Sequence, residues 1–81
     1  MRKQKAKALV RFGENVRALR EKKEWTQERL AVQADLDQTY ISGIERGVRN
    51  PTVILLDKIA KALKVAPGIL LEETRSGSKK P

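Results

Sequence analysis

Apolar residues recur along this sequence at intervals of three and four, and no segment alternates apolar with polar residues as a β-strand would. Leu9, Phe12, Val16 and Leu19 fall on one face of a helix, so their spacing predicts a first helix over residues 6–23. The same periodicity, bounded by residues suited to helix starts and stops, predicts four more helices over residues 27–34, 38–46, 53–64 and 67–74. We therefore expect an all-α fold of five helices.

The connections between the predicted helices carry residues that begin or end a helix. Thr26, Asp37 and Thr52 are expected to be N-caps, because their side-chain oxygens can accept a hydrogen bond from a free backbone N–H. Asp35 is expected to adopt left-handed backbone in a sharp bend, and Gly47 to do so after the third helix.

Length and charge distribution predict the domain organisation. A chain of 81 residues holds one small core. Its net charge of +8 is concentrated at the ends, since residues 1–8 contain four basic residues, residues 74–81 contain three, and neither segment contains an acidic one. We expect a basic N-terminal extension at 1–8, one helical domain at 9–73 and a disordered basic tail at 74–81. Because the 9–73 segment is nearly neutral, evidence for a nucleic-acid partner must come from the placement of particular side chains.

The composition argues against several classes of function. The sequence contains no histidine and no cysteine, so it lacks the commonest general base, the commonest transition-metal ligand and any thiolate. We expect no catalytic residue, no metal and no cofactor. No apolar run approaches the roughly 20 residues of a membrane span, so we expect no membrane association and a cytoplasmic location. No ligand domain follows the last predicted helix, and no small-molecule effector is expected.

The second and third predicted helices form the pattern of a helix-turn-helix, because only three residues join them. Ile41 and Ile44 of the third helix are expected in the core. The outward face of the same helix then carries the side chains of Gln38, Thr39 and Ser42 and the backbone of Gly43. The N-terminal end of such a helix enters the major groove of DNA, where amides and hydroxyls bond base edges and a glutamine matches adenine. These four residues are the predicted base contacts.

Other residues around the helix-turn-helix are candidates for contacts to DNA phosphates. The candidates are Gln27, Tyr40, Arg46, Arg49 and Asn50. Gln27 lies in the first turn of the second helix, where its amide and the free backbone N–H groups can meet a phosphate. For Tyr40 two alternatives stay open: its hydroxyl reaches a phosphate, or its ring is a half-buried wedge. Phosphate contacts position a protein on the duplex without reading its sequence.

The last two predicted helices carry more apolar residues than one core face requires. Ile54 and Leu55 lie away from the predicted core side of the fourth helix, and Ile69, Leu70 and Leu71 are consecutive, so not all of them can face inward. These five residues are a candidate homodimer interface. The alternative is that they touch only their own chain. A homodimer would place two reading helices about 34 Å apart, one turn of DNA.

Three segments together resemble the lambda-repressor-like, Cro/C1-type (XRE) helix-turn-helix regulators. They are TQERLA at residues 26–31, YISGIERG at 40–47 and NPT at 50–52, within a resemblance that extends over residues 9–71. The segment 37–50 is also similar to controller proteins of restriction-modification systems. The resemblance implies a compact five-helix domain that binds a near-palindromic DNA operator as a homodimer.

The resemblance also implies roles for individual residues. In the family, a pair at the positions of Arg20 and Glu45 ties the first helix to the third, which implies a partly buried salt bridge that orients the reading helix. Trp25 is expected to supply core volume between the first two helices. Asp35 stands where the family most often has glycine.

Three hypotheses for the function follow. The leading one is a sequence-specific transcription regulator, with autoregulation of a restriction-modification system as its narrower form. The second is an antitoxin or protein-interaction module that uses Ile54, Leu55 and the fifth helix to bind another protein. The third is a nonspecific DNA or RNA binder that acts through its basic ends.

Overall fold

Four α-helices and one short 3-10 helix make up residues 6–73, the part of the chain that the computed structural model describes. The α-helices are α1 (Lys7–Lys22), α2 (Gln27–Ala34), α3 (Gln38–Glu45) and α4 (Val53–Leu63), and the 3-10 helix spans Pro67–Leu71. All-α architecture and the first four predicted helices are thus confirmed. The predicted tail at 74–81, and most of the predicted N-terminal extension, lie outside the described residues.

Side-chain caps begin three of the four α-helices as predicted. Thr26 Oγ1 accepts a hydrogen bond from the Arg29 backbone N–H at 3.0 Å. Asp37 Oδ1 accepts from the Thr39 N–H, and Thr52 Oγ1 from the Leu55 N–H, both at 3.1 Å. Each bond satisfies a donor that the helix itself leaves free, so the polar turn residues fix where these helices start.

Left-handed residues end the helices. Asp35 (φ 58°) closes α2 and Gly47 (φ 78°) follows α3, both as predicted. Glu24 and Lys64 also adopt positive φ, each at 61°. Lys64 was expected to be the last residue of the fourth helix, but its left-handed backbone ends α4 at Leu63. Side-chain type gives no sign of this, since lysine has no particular preference for that conformation.

One hydrophobic core joins all five elements. α1 packs against α3 and the 3-10 helix, and α2 packs against α3 and α4. The largest completely buried side chains are Phe12, Val16, Leu30, Ile41, Ile44, Ile59, Leu63 and Leu70. Because Ile41 and Ile44 anchor α3 in this core, the opposite side of α3 is left at the surface.

The fifth predicted helix is corrected in type and length: it is a 3-10 helix that ends at Leu71, where an α-helix to residue 74 was expected. Side chains of α1 explain the early end. Asn15 Nδ2 donates to the backbone carbonyls of Leu70 (2.9 Å) and Glu72 (2.7 Å), and Arg11 Nε donates to that of Leu71 (3.0 Å). These carbonyls find partners outside their own helix, and the backbone at Glu72 is extended.

Candidate nucleic-acid interface

The N-terminal edge of α3 is a polar surface. Gln38 and Thr39 are exposed and Ser42 is half-buried, whereas Ile41 and Ile44 are fully buried on the other side of the helix. Asp37 caps the helix by bonding the Thr39 N–H, so the first turn is held in regular geometry. The three predicted base-reading side chains therefore lie where a groove of DNA could be reached, and base contact stays a prediction for each.

Gly43 does not share this exposure, and its base contact stays a prediction. It is buried beneath the side chain of Arg49: a β-carbon at residue 43 would lie 2.6 Å from Arg49 Cγ. Its carbonyl accepts a hydrogen bond from the Val48 N–H at 3.0 Å. The absence of a side chain at Gly43 thus makes room for the side chain of Arg49.

A buried ion pair holds the C-terminal end of α3 against α1. Arg20 Nε donates to Glu45 Oε2 at 2.7 Å, and Arg20 Nη2 donates to Glu45 Oε1 at 3.0 Å. The Arg20 side chain is 11% exposed and the Glu45 side chain 4%. Arg20 Nη1 also donates to the Trp25 carbonyl at 2.6 Å, so one guanidinium joins α1, the turn before α2 and α3. The salt bridge that the resemblance implied is present, with the two-pronged geometry that gives arginine–carboxylate pairs their directionality.

The electrostatics of this pair favour the charged arginine. The hydrogen bonds that Arg20 donates to Glu45 raise the pKa of Arg20 and outweigh the effect of burial, which lowers it, while the charges of Glu45 and Glu21 add to the rise. The folded protein therefore holds the proton of the guanidinium more strongly than the unfolded chain does. A guanidinium that bonds both α3 and the turn before α2 is suited to fixing the angle between α1 and α3.

Gln27 belongs to the same cluster. Its Nε2 donates to Glu45 Oε1 at 3.0 Å, and its side chain is half-buried. Sequence reasoning gave Gln27 a phosphate contact and missed this bond, because helical spacing does not reveal contacts between helices. The second amide hydrogen is not used in this bond, and a phosphate contact by it stays a prediction.

The remaining phosphate candidates gather around the end of α3. Arg46, Arg49 and Asn50 are exposed, whereas Tyr40 is half-buried with its ring packed against the core. The Arg49 guanidinium lies 5.4 Å from the centre of the Tyr40 ring, within the range of a cation–π interaction. The structure therefore places Tyr40 as a half-buried wedge, one of its two predicted alternatives, and leaves its hydroxyl contact a prediction.

The candidate dimer surface is present in part. Ile54 is 73% exposed, and Ile69 and Leu71 are 38% and 46% exposed, while Leu55 is half-buried. The prediction that Leu70 belongs to the dimer surface is wrong, because its side chain is completely buried in the core of its own chain. Val53, which was not predicted, is 82% exposed next to Ile54.

The sequence did not predict two features of α1 that hold the neighbouring elements in place. Gly13 lets α1 approach the backbone of α3 closely. Asn15 and Arg11 bond carbonyls that lie 55 to 60 positions further along the chain. The one available signal was a glycine inside an otherwise regular helical stripe, which often marks close packing of two backbones.

Residues 6–73 contain neither a metal-binding cluster nor a membrane-spanning helix. No group of three or more acidic, histidine or cysteine side chains in that range is arranged to hold a metal ion. Within the same range, no helix is both long and apolar enough to cross a membrane.

Known proteins share both the sequence and the fold of this chain. A helix-turn-helix family model matches residues 16–70. The control protein C.BamHI of Bacillus amyloliquefaciens is 48% identical over 68 residues, which cover 83% of this chain and 84% of the relative. The crystal structure of the restriction-modification controller protein C.AhdI from Aeromonas hydrophila superposes with a TM-score of 0.75 and 44% identity, covering 76% of this chain and 94% of that one.

A structure of a relative with DNA is also similar. The restriction-modification controller protein C.Esp1396I, crystallised as a tetramer with its natural 35 base-pair operator, superposes with a TM-score of 0.74 and 40% identity. The superposition covers 80% of this chain and 86% of that one. With a family model over most of the chain and relatives matched over most of their own length, this chain belongs to the XRE-type helix-turn-helix family, among relatives that include the restriction-modification control proteins.

Proposed function

We propose that this protein is a sequence-specific regulator of transcription that binds double-stranded DNA as a homodimer on a near-palindromic operator. The observation that carries the proposal is the exposed polar edge of α3 at Gln38 and Thr39, on a helix whose other end is fixed by Arg20 and Glu45. A reading helix needs both a free edge and a fixed angle, because a base contact demands that each donor lie within hydrogen-bond distance of one base edge.

The proposed binding mode divides the residues by task. Gln38, Thr39 and Ser42 bond base edges in the major groove, and the glutamine amide is suited to adenine. Phosphate contacts come from Gln27, Tyr40, Arg46, Arg49 and Asn50, which set the register of the protein on the duplex. No residue acts as a catalyst, and regulation follows from occupancy of the operator.

The homodimer uses the exposed apolar residues of α4 and the 3-10 helix. Ile54, Ile69 and Leu71 are the proposed centre, with Leu55 and Val53 at its margin. Two copies joined in this way would present two α3 helices to successive major grooves about 34 Å apart. A near-palindromic operator is the DNA counterpart of such two-fold symmetry.

The similarity to restriction-modification control proteins supports a narrower role. We propose that the protein controls a restriction-modification system and regulates its own gene. Its partner is the operator DNA, so the proposed location is the cytoplasm. C.Esp1396I occupies its operator as a tetramer, which supports binding of more than one dimer at a time.

Selection of binding sites from random duplexes, followed by affinity measurements on the selected and scrambled sequences, tests the proposal. We expect one enriched inverted repeat that is bound at least a thousandfold more tightly than scrambled duplex. A protein-interaction module predicts no enriched sequence. A nonspecific binder acting through its ends predicts that removal of residues 1–7 and 75–81 abolishes binding, whereas a sequence-specific regulator keeps its preference with a shallower salt dependence.

A further inference from the structure

The side chain of Arg49 lies across α3 in a notch that exists because residue 43 is glycine. Beyond the close approach to Cγ, a β-carbon at residue 43 would lie 3.1 Å from Arg49 Nε and 3.4 Å from Cδ. The stem of Arg49 thus occupies the space that any other side chain at residue 43 would need. One turn earlier on the same helix, the Tyr40 ring faces the guanidinium at 5.4 Å.

The turn after α3 brings Arg49 back to this notch. Gly47 donates its N–H to the Ile44 carbonyl and adopts φ 78°, and the Val48 N–H donates to the Gly43 carbonyl. These two bonds form the standard end of a helix in which the chain reverses with a left-handed residue. The path of the backbone therefore brings residue 49 back toward α3.

We propose that Tyr40 and Gly43 form a seat that holds the Arg49 guanidinium ready for a DNA phosphate, so that Tyr40 is a positioning residue for Arg49. The inference rests on the proposed function. A free arginine side chain samples many rotamers and loses this freedom when it binds. A side chain already held by a ring and a notch loses less, so binding is tighter without any added contact to DNA.

Tyr40 can contribute to DNA binding in two ways. The ring acts through Arg49, whereas the hydroxyl can bond a phosphate itself. Tyr40→Phe removes only the hydroxyl, and Tyr40→Leu removes both the hydroxyl and the aromatic face. Comparing the two variants measures the contribution of the ring alone.

A double-mutant cycle on operator affinity tests the proposal. The variants are Tyr40→Phe, Tyr40→Leu, Arg49→Ala and each Tyr40 variant combined with Arg49→Ala, all measured by fluorescence anisotropy on the selected operator and on scrambled duplex. We expect Tyr40→Leu to bind about two- to fivefold more weakly than Tyr40→Phe, the range of an exposed cation–π interaction. In the Arg49→Ala background, we expect the loss of the ring to have no further effect.

Salt dependence and a matched arginine distinguish positioning from loss of structure. Arg49→Ala removes a phosphate contact and should reduce the slope of log affinity against log salt by about one. Tyr40→Leu should weaken binding with the slope unchanged, because Arg49 still reaches the phosphate. Arg46 is the control: exposed at the end of α3, it should give effects that add to those of Tyr40→Leu without coupling.

Gly43→Ala is an independent test in a variant that we expect to fold, since the obstructing atoms belong to a flexible side chain and alanine favours a helix. We expect its operator affinity to fall about two- to fivefold, with no further loss when combined with Arg49→Ala. An equal difference in affinity between Tyr40→Leu and Tyr40→Phe with and without Arg49, or wild-type affinity in Gly43→Ala, would overturn the seat while leaving the proposed function intact. Absence of any preferred DNA sequence for the wild-type protein would instead overturn the proposed function, and the seat with it.

Discussion

Gly13 of α1 lies directly against the backbone carbonyl of Ile44 in α3, so closely that a β-carbon at residue 13 would overlap the Ile44 oxygen and lie 3.0 Å from the Glu45 carbonyl oxygen. Both neighbours are backbone atoms, which cannot rotate away. The two helices approach at this point as closely as a residue without a side chain allows.

Gly13→Ala is expected to lower the free energy of unfolding by about 1–3 kcal/mol, because α1 and α3 must move apart to admit the methyl group. The loss should appear even though alanine favours a helix over glycine by about 0.5–1 kcal/mol. Urea denaturation followed by circular dichroism measures it. Gly68→Ala is the matched control, since a β-carbon there would meet nothing within 4 Å. Equal stability of the two variants would show that the crossing of α1 and α3 can relax.

Much of this fold follows from local sequence signals. Apolar spacing located α1 to α4, and the caps at Thr26, Asp37 and Thr52 fixed three helix starts because they act within three residues of themselves. The fifth helix was wrong in type and length for a nonlocal reason. Its carbonyls bond Asn15 and Arg11 of α1, and no pattern within residues 67–74 reports on residues so distant.

Arg20→Met is expected to destabilise the protein by about 3–5 kcal/mol. The variant leaves the Glu45 carboxylate buried without its charge partner and removes the donor to the Trp25 carbonyl. Thermal or urea unfolding measures the change. Arg17→Ala is the control: Arg17 pairs with Glu21 at 3.0 Å on the surface, with side chains 63% and 54% exposed, and its loss should cost no more than about 0.5 kcal/mol.

A double variant separates pairing from packing at the same position. Arg20→Met combined with Glu45→Met should be more stable than Arg20→Met alone, because no unpaired buried charge remains. A double variant that is less stable than either single one would contradict the role assigned to the ion pair and would indicate that shape at the crossing matters more.

The stabilising effect of Arg20 is expected to be independent of pH across the neutral and moderately alkaline range. Its pKa is raised in the folded protein, so the contribution is fully present below the ordinary pKa of arginine and is lost only as the pH rises through the higher, folded value. The stability difference between wild type and Arg20→Met should therefore be constant between about pH 7 and pH 10. A difference that declines over this interval in urea titrations would show that another titrating group maintains the crossing.

Gln38→Ala is expected to reduce discrimination at one base pair of the operator by about 1–3 kcal/mol, while affinity for scrambled duplex changes little. Competition binding with single-base operator variants identifies the position. Gln33→Ala provides the comparison, because Gln33 is also an exposed glutamine but belongs to α2 and not to the reading helix. If Gln38→Ala instead weakened binding equally on all DNA sequences, Gln38 would make only a nonspecific contact.

Ile54→Glu is expected to shift the protein from dimer to monomer in sedimentation velocity and to weaken operator binding. The change places a charge on an apolar residue that is 73% exposed, and a carboxylate in the first turn of α4 is compatible with the helix dipole, so the monomer should stay folded. Val32→Glu on α2 is the control with similar exposure, 69%. A dimer that survives Ile54→Glu would place the interface elsewhere.

For the predicted interface, as for the fold, the local sequence pattern predicted which residues are exposed but not which distant residues contact one another. Helical periodicity placed Gln38, Thr39 and Ser42 on the side of α3 opposite the core, and the structure has them there. The burial of Gly43 was not predicted, because periodicity cannot foresee that Arg49, six residues later, folds back over it. Leu70 was misplaced for a related reason, since three consecutive apolar residues do not indicate which one the core takes.

The groups that hold α3 and the groups that would read DNA occupy opposite ends of one short helix. Glu45 is its last residue and Gln38 its first, about 10 Å apart at the rise of an α-helix. Under the proposed binding mode, exchanges at Gln38 and Thr39 would alter which bases are favoured without disturbing the contacts that keep the molecule folded. In such an arrangement, the residues that would set operator preference can be substituted while the residues that set the fold are kept.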